Sequence, residues 1–336
     1  MITKCSLFLL FFFVTYPILS EVLFSIEHAQ VQEIPEVKEE SLLFIGDIML
    51  GRYVETLSSV HGSQYLLEEL SPFLNKKTYV IANLEGPLPD KHRQTPSHSF
   101  GFSFPENSAK ILSLFHISAV TLANNHTYDQ GEDGYLSTVK KLLTSRIAPF
   151  GHSRYFIPSF VTHIIHGYSL STIGINLITP TFDEEKTLIS IKHLCAIYPE
   201  THFIAYIHAG TEYTHQQSGV QVTFAHKLID DTCVRLIIGS HPHVIQGVEK
   251  YKGKYIFYSL GNFIFDQYFS DDTQEGLMVS VSVKDTTLVF KLLPIESRVS
   301  VPRLAEKEKR SRILSTIASS SSPEIQEDIR QGFLQE

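Results

Sequence analysis

From Ser41 onward, short apolar runs alternate with amphipathic stretches. "SLLFIG", "YVIANL", "AVTLA", "HFIAYI", "RLIIGS" and "YIFYSL" are brief and rich in β-branched, leucine or aromatic residues, which predicts strands. Among them, "YLLEELSPFL", "ENSAKILSLFH", "DGYLSTVKKLLTS" and "TFAHKLIDDT" carry apolar residues at helical spacing. This alternation predicts an α/β domain containing parallel strand pairs. Later, "MVSVSV" and "TLVFKLLPI" flank "KDTT", which predicts an antiparallel hairpin added to the same sheet. Residues 301–336 hold a charged helix, a serine run and a second polar helix with sparse apolar positions, and read as a weakly packed helical C-terminal tail. No internal repeat is visible.

The N-terminus follows a different pattern. Lys4 precedes "CSLFLLFFFVTYPIL", an apolar run shorter than the ~20 residues that span a bilayer. Residues 1–20 therefore read as a signal peptide, cleaved after Ser20, or as an uncleaved membrane anchor. Cys5 lies before the apolar run, not after it, and so is not placed for acylation. Residues 21–40, with the acidic stretch "EHAQVQEIPEVKEE", read as a tether, and 41–300 as the domain. The expectation is an exported protein, in the periplasm or at the cell surface.

Composition narrows the function classes. Of 336 residues, 43% are hydrophobic and 19% charged, enough apolar material for a core. The net charge of −8 provides no basic field, which argues against a nucleic-acid partner. Beyond the export segment only Cys195 and Cys233 remain. An oxidising compartment would let them pair, but two separate buried thiols on different helices is the reading that spacing favours.

The candidate chemistry sits where the strands end. Asp47 follows "LLFIG", Glu85 follows "YVIANL", and Asn125 and His126 follow "AVTLAN". His208 follows "HFIAYI", and His241 and His243 follow "RLIIGS". In open α/β sheets, ligands bind outside the carboxyl ends of parallel strands, so these side chains would converge. Carboxylates mixed with imidazoles suit Mn, Fe or Zn, and an amide ligand adds a donor without adding charge. Pro242 biases His241 toward extended backbone, in which residues i and i+2 share a side, so His241 and His243 would face the same ion or two adjacent ions. Asp129 reads first as the N-cap of the next helix with Glu132 completing a capping box, and otherwise as a catalytic group. Glu212 is either a proton-transfer group or a surface residue. Asn262 in "SLGNF" reads as a turn residue that could reach the rim of the site.

"FIGDIML", "ANLEGPL", "TLANNHTYDQGEDG", "HAGTEY" and "IIGSHPHVIQGVEKYKGKYIFYSLGNFIFDQ" occur in the order found in the CapA-like family, which the chain resembles from about Leu43 to Ile295. These are poly-γ-glutamate capsule biosynthesis proteins with a calcineurin-like metallophosphoesterase fold. The resemblance implies a four-layer αββα sandwich with one or two divalent metal ions at one edge. Carried over position by position, it makes Asp47, Glu85, Asn125, His208, His241 and His243 the ligands and His126 the general acid. It further implies a hydrolase or transferase using a metal-bound hydroxide on an anionic polymer or other envelope substrate, beside membrane polymer-synthesis proteins. A non-catalytic assembly or polymer-binding component is the alternative. Four positions depart from the wider pattern, the first being Glu85, which stands where phosphoesterases have aspartate. Met49 stands where phosphoesterases have a histidine, Ala209 where family members commonly have tryptophan, and Ser103 lies where a basic residue is expected.

Overall fold

The computed structural model describes residues 41–70, 74, 79–96 and 98–336, so the expected export segment and tether lie outside the described residues. Strand β1 (Leu42–Ile48) is buried along its whole length, as an apolar run between two covering layers should be. It pairs in parallel with β2 (Tyr79–Leu84), which pairs in parallel with β3 (Ile117–Thr121), which pairs in parallel with β4 (Ala148–Phe150). A second sheet contains β5 (Phe160–Ile165), β6 (Tyr168–Asn176), β7 (His202–His208), β8 (Val234–Ser240), β9 (Val248–Tyr251) and β10 (Lys254–Phe257). Its β6, β7, β8 and β10 run parallel, with antiparallel β5 and β9 at its two edges.

The remaining strands extend the first sheet to nine. β11 (Asn262–Ile264) lies parallel to β1, while β12 (Glu275–Lys284) runs antiparallel to β1 and forms a hairpin with β13 (Thr287–Arg298). The hairpin turn is Asp285-Thr286, both at positive φ, the conformation that matches strand twist. β14 (Val301–Leu304) and β15 (Phe333–Gln335) each add antiparallel to β13.

Three apolar layers account for the architecture. The middle one joins Phe44, Ile81 and Ala119 of the first sheet to Ile204, Tyr206, Leu236 and Phe257 of the second. The outer face of the first sheet packs through Val54, Leu112 and Leu142 against α1 (Arg52–His61), α2 (Ser108–Leu114) and α3 (Gly131–Thr144). The outer face of the second packs through Ile191, Leu194, Phe224 and Leu228 against α4 (Glu184–Ile197) and α5 (Gly219–Asp231). The layers are therefore helix, sheet, sheet, helix. Among the described residues, no helix is long and apolar enough to cross a membrane.

Two expectations are corrected. Residues 301–336 are no loose tail: Ile313, Leu314, Ile317 and Ala318 of α6 (Lys307–Ser319) and Ile329 of α7 (Gln326–Gln331) enter the middle core. A few well-spaced apolar residues suffice because they close one flank of a core already present. Cys195 and Cys233 form a disulfide, with Cα atoms 5.8 Å apart, because α4 and the start of β8 pack side by side. In "YLLEELSPFL" the described residues show a 3₁₀ turn, Ser63–Leu67, and a helical Leu74 whose amide donates to the Leu70 carbonyl at 2.9 Å.

Candidate metal centre

Close backbone approach places the first carboxylate. A Cβ on Gly46 would sit 1.9 Å from the Gly261 carbonyl oxygen, so only glycine lets β1 lie against the chain entering β11. The Asp47 amide donates to that same carbonyl at 3.1 Å, and register then shifts at Asp47/Ile48. Asp47 is thereby paired with Asn262 on one side and Asn83 on the other.

Glu85 follows β2, its amide fixed to the Ile48 carbonyl at 2.9 Å. Asn83 lies on the same face two residues earlier. Its amide donates to Asp47 Oδ1 at 2.8 Å and Glu85 Oε2 at 3.2 Å, spacing the two buried carboxylates. Asn124 then ties the third strand's loop to this pair, donating to Asn83 Oδ1 at 2.9 Å and the Leu84 carbonyl at 2.8 Å.

The second sheet supplies the imidazoles. His208 ends β7 in register with Ser240 of β8, and its Nδ1 lies 3.1 Å from Ser240 Oγ. Its Nε2 faces Asn125 Oδ1 at 2.8 Å and His241 Nδ1 at 3.1 Å. His243 Nδ1 lies 3.0 Å from Asn262 Oδ1, and its Nε2 is 3.6 Å from Glu85 Oε1. Two sets of ligand atoms result, Glu85 with His208 and His241, and Asp47 with Glu85 and His243, each within 4.8 Å and sharing Glu85. Asn125 adjoins the first set through His208.

The backbone of "SHPH" differs from expectation. His241 and His243 have φ of 97° and 58°, so neither is extended, and their rings still face one site, 6.0 Å apart. Tertiary contacts override the local bias from Pro242: Asp47 Oδ2 accepts from the His241 amide at 3.3 Å, and the Pro242 carbonyl accepts from the Tyr213 amide at 2.8 Å. Non-glycine residues held at positive φ are strain that a site retains only when its surroundings impose it.

Burial and mutual charge set the electrostatics of this cluster. Burial raises the Glu85 carboxyl well above its usual range. Burial, then His241, depresses His208, and burial lowers His241 to about 4. For His243 burial opposes protonation, but the Glu85 charge and the Asp47 hydrogen bond outweigh it and raise the ring to about 9. Glu85 Oε1 is buried without a hydrogen-bond partner, a costly state for a carboxylate oxygen. That orphaned oxygen and the mixed oxygen and nitrogen donors are compatible with divalent metal binding.

His126 stands at the mouth, Nε2 4.0 Å from Glu85 Oε1 and its ring 4.1 Å from that of Phe102. Its Nδ1 meets Asp129 Oδ2 at 2.8 Å. Asp129 is not the helix cap: α3 begins after Gln130 with no side-chain cap, and Asp129 Oδ2 accepts instead from the Phe102 amide at 2.7 Å. Glu212 is exposed, close enough to influence Glu85 and His243 electrostatically but outside both ligand sets. Met49 faces away, its sulfur accepting from the Gly51 amide at 3.1 Å within the outer core. Arg52 lies 5.0 Å and 5.4 Å from the Phe102 and Phe265 ring centres and is ion-paired with Asp266, so it braces rings beside His126 with its charge already matched. Sequence reading missed Asn83 and underrated Asn262. The available signal was an amide two residues before Glu85 inside an otherwise apolar strand.

Residues 41–173 and 168–267 match the family described as bacterial capsule synthesis protein PGA_cap. The chain is 26% identical over 343 residues to the PGA biosynthesis protein CapA of Bacillus subtilis (strain 168), covering 92% of this chain and 87% of that protein. It is 27% identical over 289 residues to the capsule biosynthesis protein CapA of Bacillus anthracis, covering 80% and 70%. Among solved structures, a hypothetical protein from Thermus thermophilus aligns with a TM-score of 0.46 and 17% identity, over 79% of this chain and 96% of that one. The calcineurin-like phosphoesterase YfkN from Bacillus subtilis aligns at 0.35 and 14%, over 88% and 100%. Scores of this size bear on neither activity nor mechanism.

Proposed function

The chain belongs to the bacterial capsule synthesis protein family, and from that premise we propose that it is an exported, metal-dependent hydrolase or transferase acting in the synthesis of a cell-surface polymer. The observation that carries this reading is the pair of donor sets sharing Glu85. Glu85, Asn125, His208 and His241 would hold one ion, and Asp47, Glu85 and His243 a second. Bound Mn, Fe or Zn would supply Lewis acidity toward a phosphoryl or acyl oxygen and lower the pKa of bound water.

The chain's own side chains provide the rest. Asp129 fixes the His126 ring through Nδ1 and leaves Nε2 directed at the centre, where it can give a proton to a departing oxygen. Phe102 covers the ring and narrows its access to water. Ser240 and Asn262 contact Nδ1 of His208 and His243 and so would leave Nε2 of each ring available to a bound ion. Export is supported by the Cys195–Cys233 disulfide, which an oxidising compartment maintains. Membrane polymer-synthesis proteins as partners and an anionic envelope substrate belong to this reading, supported only by the polymer-related role of the capsule family.

A second reading, a non-catalytic polymer-binding component, draws on Met49, which offers no imidazole to the Asp47 set. Elemental analysis of protein purified without chelator separates the two. One or two equivalents of Mn, Fe or Zn per chain, lost in the H241A/H243A double variant, supports the enzyme. Protein that holds no metal and takes up none on titration would overturn it.

A further inference from the structure

Among the described residues, the loop that carries His126 meets a basic side chain without a carboxylate partner. Arg154 is exposed, and among the described residues it makes no ion pair. Its guanidinium lies 4.0 Å from the ring centre of Tyr128, two residues beyond His126 in the same loop. Arg52, by contrast, is sequestered against Asp266.

The setting of Arg154 is built. Tyr128 stacks on Tyr135 at 4.9 Å, and its hydroxyl meets His152 Nε2 at 2.9 Å. His152 Nδ1 accepts from the Arg154 amide at 3.1 Å, which fixes the turn that presents the side chain. The Ser153 carbonyl accepts from Asn176 at 2.8 Å, and Asn176 lies in register with His208. The loop is thus anchored on both sheets at the edge where the candidate ligands converge. Burial, then the neighbouring Arg154 charge, lowers His152 to about 4, so this ring adds no second cation at neutral pH.

We propose that Arg154, seated on Tyr128, is an anion-recognition subsite for a carboxylate or phosphate on the substrate portion flanking the reacting group. The planar guanidinium presents paired donors that match either anion, and the aromatic face holds the side chain in place while its outer edge stays open. The mouth is otherwise acidic, with Asp129 and Glu212 nearby, so a substrate anion needs a compensating charge at the rim. This inference rests on the proposed function only for naming the ligand as substrate; the binding site itself does not require a metal.

The test uses full-length protein stripped with chelator and dialysed, titrated calorimetrically with inorganic phosphate and separately with succinate. Saturable binding of either, weakened about tenfold in R154Q and less in R154K, is expected. Phosphate alone binding identifies a phosphoryl reader, succinate alone a carboxylate reader, and both a reader of charge. Equal affinities in wild type and R154Q, or no binding of either anion to wild type, overturn the subsite. Arg154-dependent binding in a protein that never takes up metal would leave the subsite standing while the enzyme reading falls.

Discussion

Asp129 and His126 illustrate how one hydrogen bond decides a residue's part. With Asp129 bonded to Nδ1, the ring's other nitrogen is committed to the centre. D129N should lower turnover of an activated phosphodiester by about 10²-fold, the scale of a displaced acid–base group, while metal content stays at the wild-type value. Loss of metal together with rate would instead make Asp129 a folding residue. Away from the site, His163 is buried against Tyr79, its Nδ1 without a partner, and burial lowers it to about 4. Below its ordinary pKa near 6.5 the unfolded chain binds a proton that the folded chain refuses, so stability is full above that pH and falls as pH drops toward 4. The loss is roughly 3 kcal/mol at most, and urea unfolding across pH 7 to 4 should show a shallower decline in H163F. At this scale the sequence revealed residues that break an apolar run, such as Asp47, Glu85 and His208. It concealed Asn83, which lies inside such a run, and Asp129, whose sequence context fits a cap equally well.

Elements are where local pattern proved most informative. Five of the six apolar runs read as strands lie wholly or largely in strands and "YIFYSL" lies half in one, and the hairpin of β12 and β13 turns at "KDTT" as expected. Each is an autonomous signal of period and length. Contacts between elements carry no such signal. The positive φ of His241 arises from Asp47, far away in sequence, and Cys195 meets Cys233 only because a helix and a strand pack together. The same is true of Gly46, which looks like an ordinary turn glycine until Gly261 is placed against it. G46A should destabilise the fold by about 3 kcal/mol or more, because backbone must move to admit one methyl group. Chemical unfolding measures the loss, and an unchanged midpoint would mean that β11 shifts freely.

For the whole molecule, the C-terminal segment and the disulfide each close a flank of the sandwich. I317A removes a side chain buried beneath α6 and should cost about 3 kcal/mol in urea unfolding, whereas a loosely attached tail would lose almost nothing. Reducing the disulfide releases a 38-residue separation, worth about 4 kcal/mol on the chain-entropy account, and should lower the thermal midpoint without abolishing metal uptake. The four-layer order expected from the resemblance appears in the three apolar cores, yet the attachment of residues 301–336 was hidden because polar residues outnumber the few that bury.

The two donor sets draw Asp47 and Glu85 from the ends of strands in the nine-stranded sheet and His208, His241 and His243 from the ends of strands in the six-stranded one. An ion seated there would rivet the two halves of the sandwich at their shared edge. At a thousandfold excess over its dissociation constant such a rivet adds about 4 kcal/mol to the folded state. The supply of metal would then govern how long each molecule survives unfolding and proteolysis. A starved population would be lost to degradation before it was merely idle.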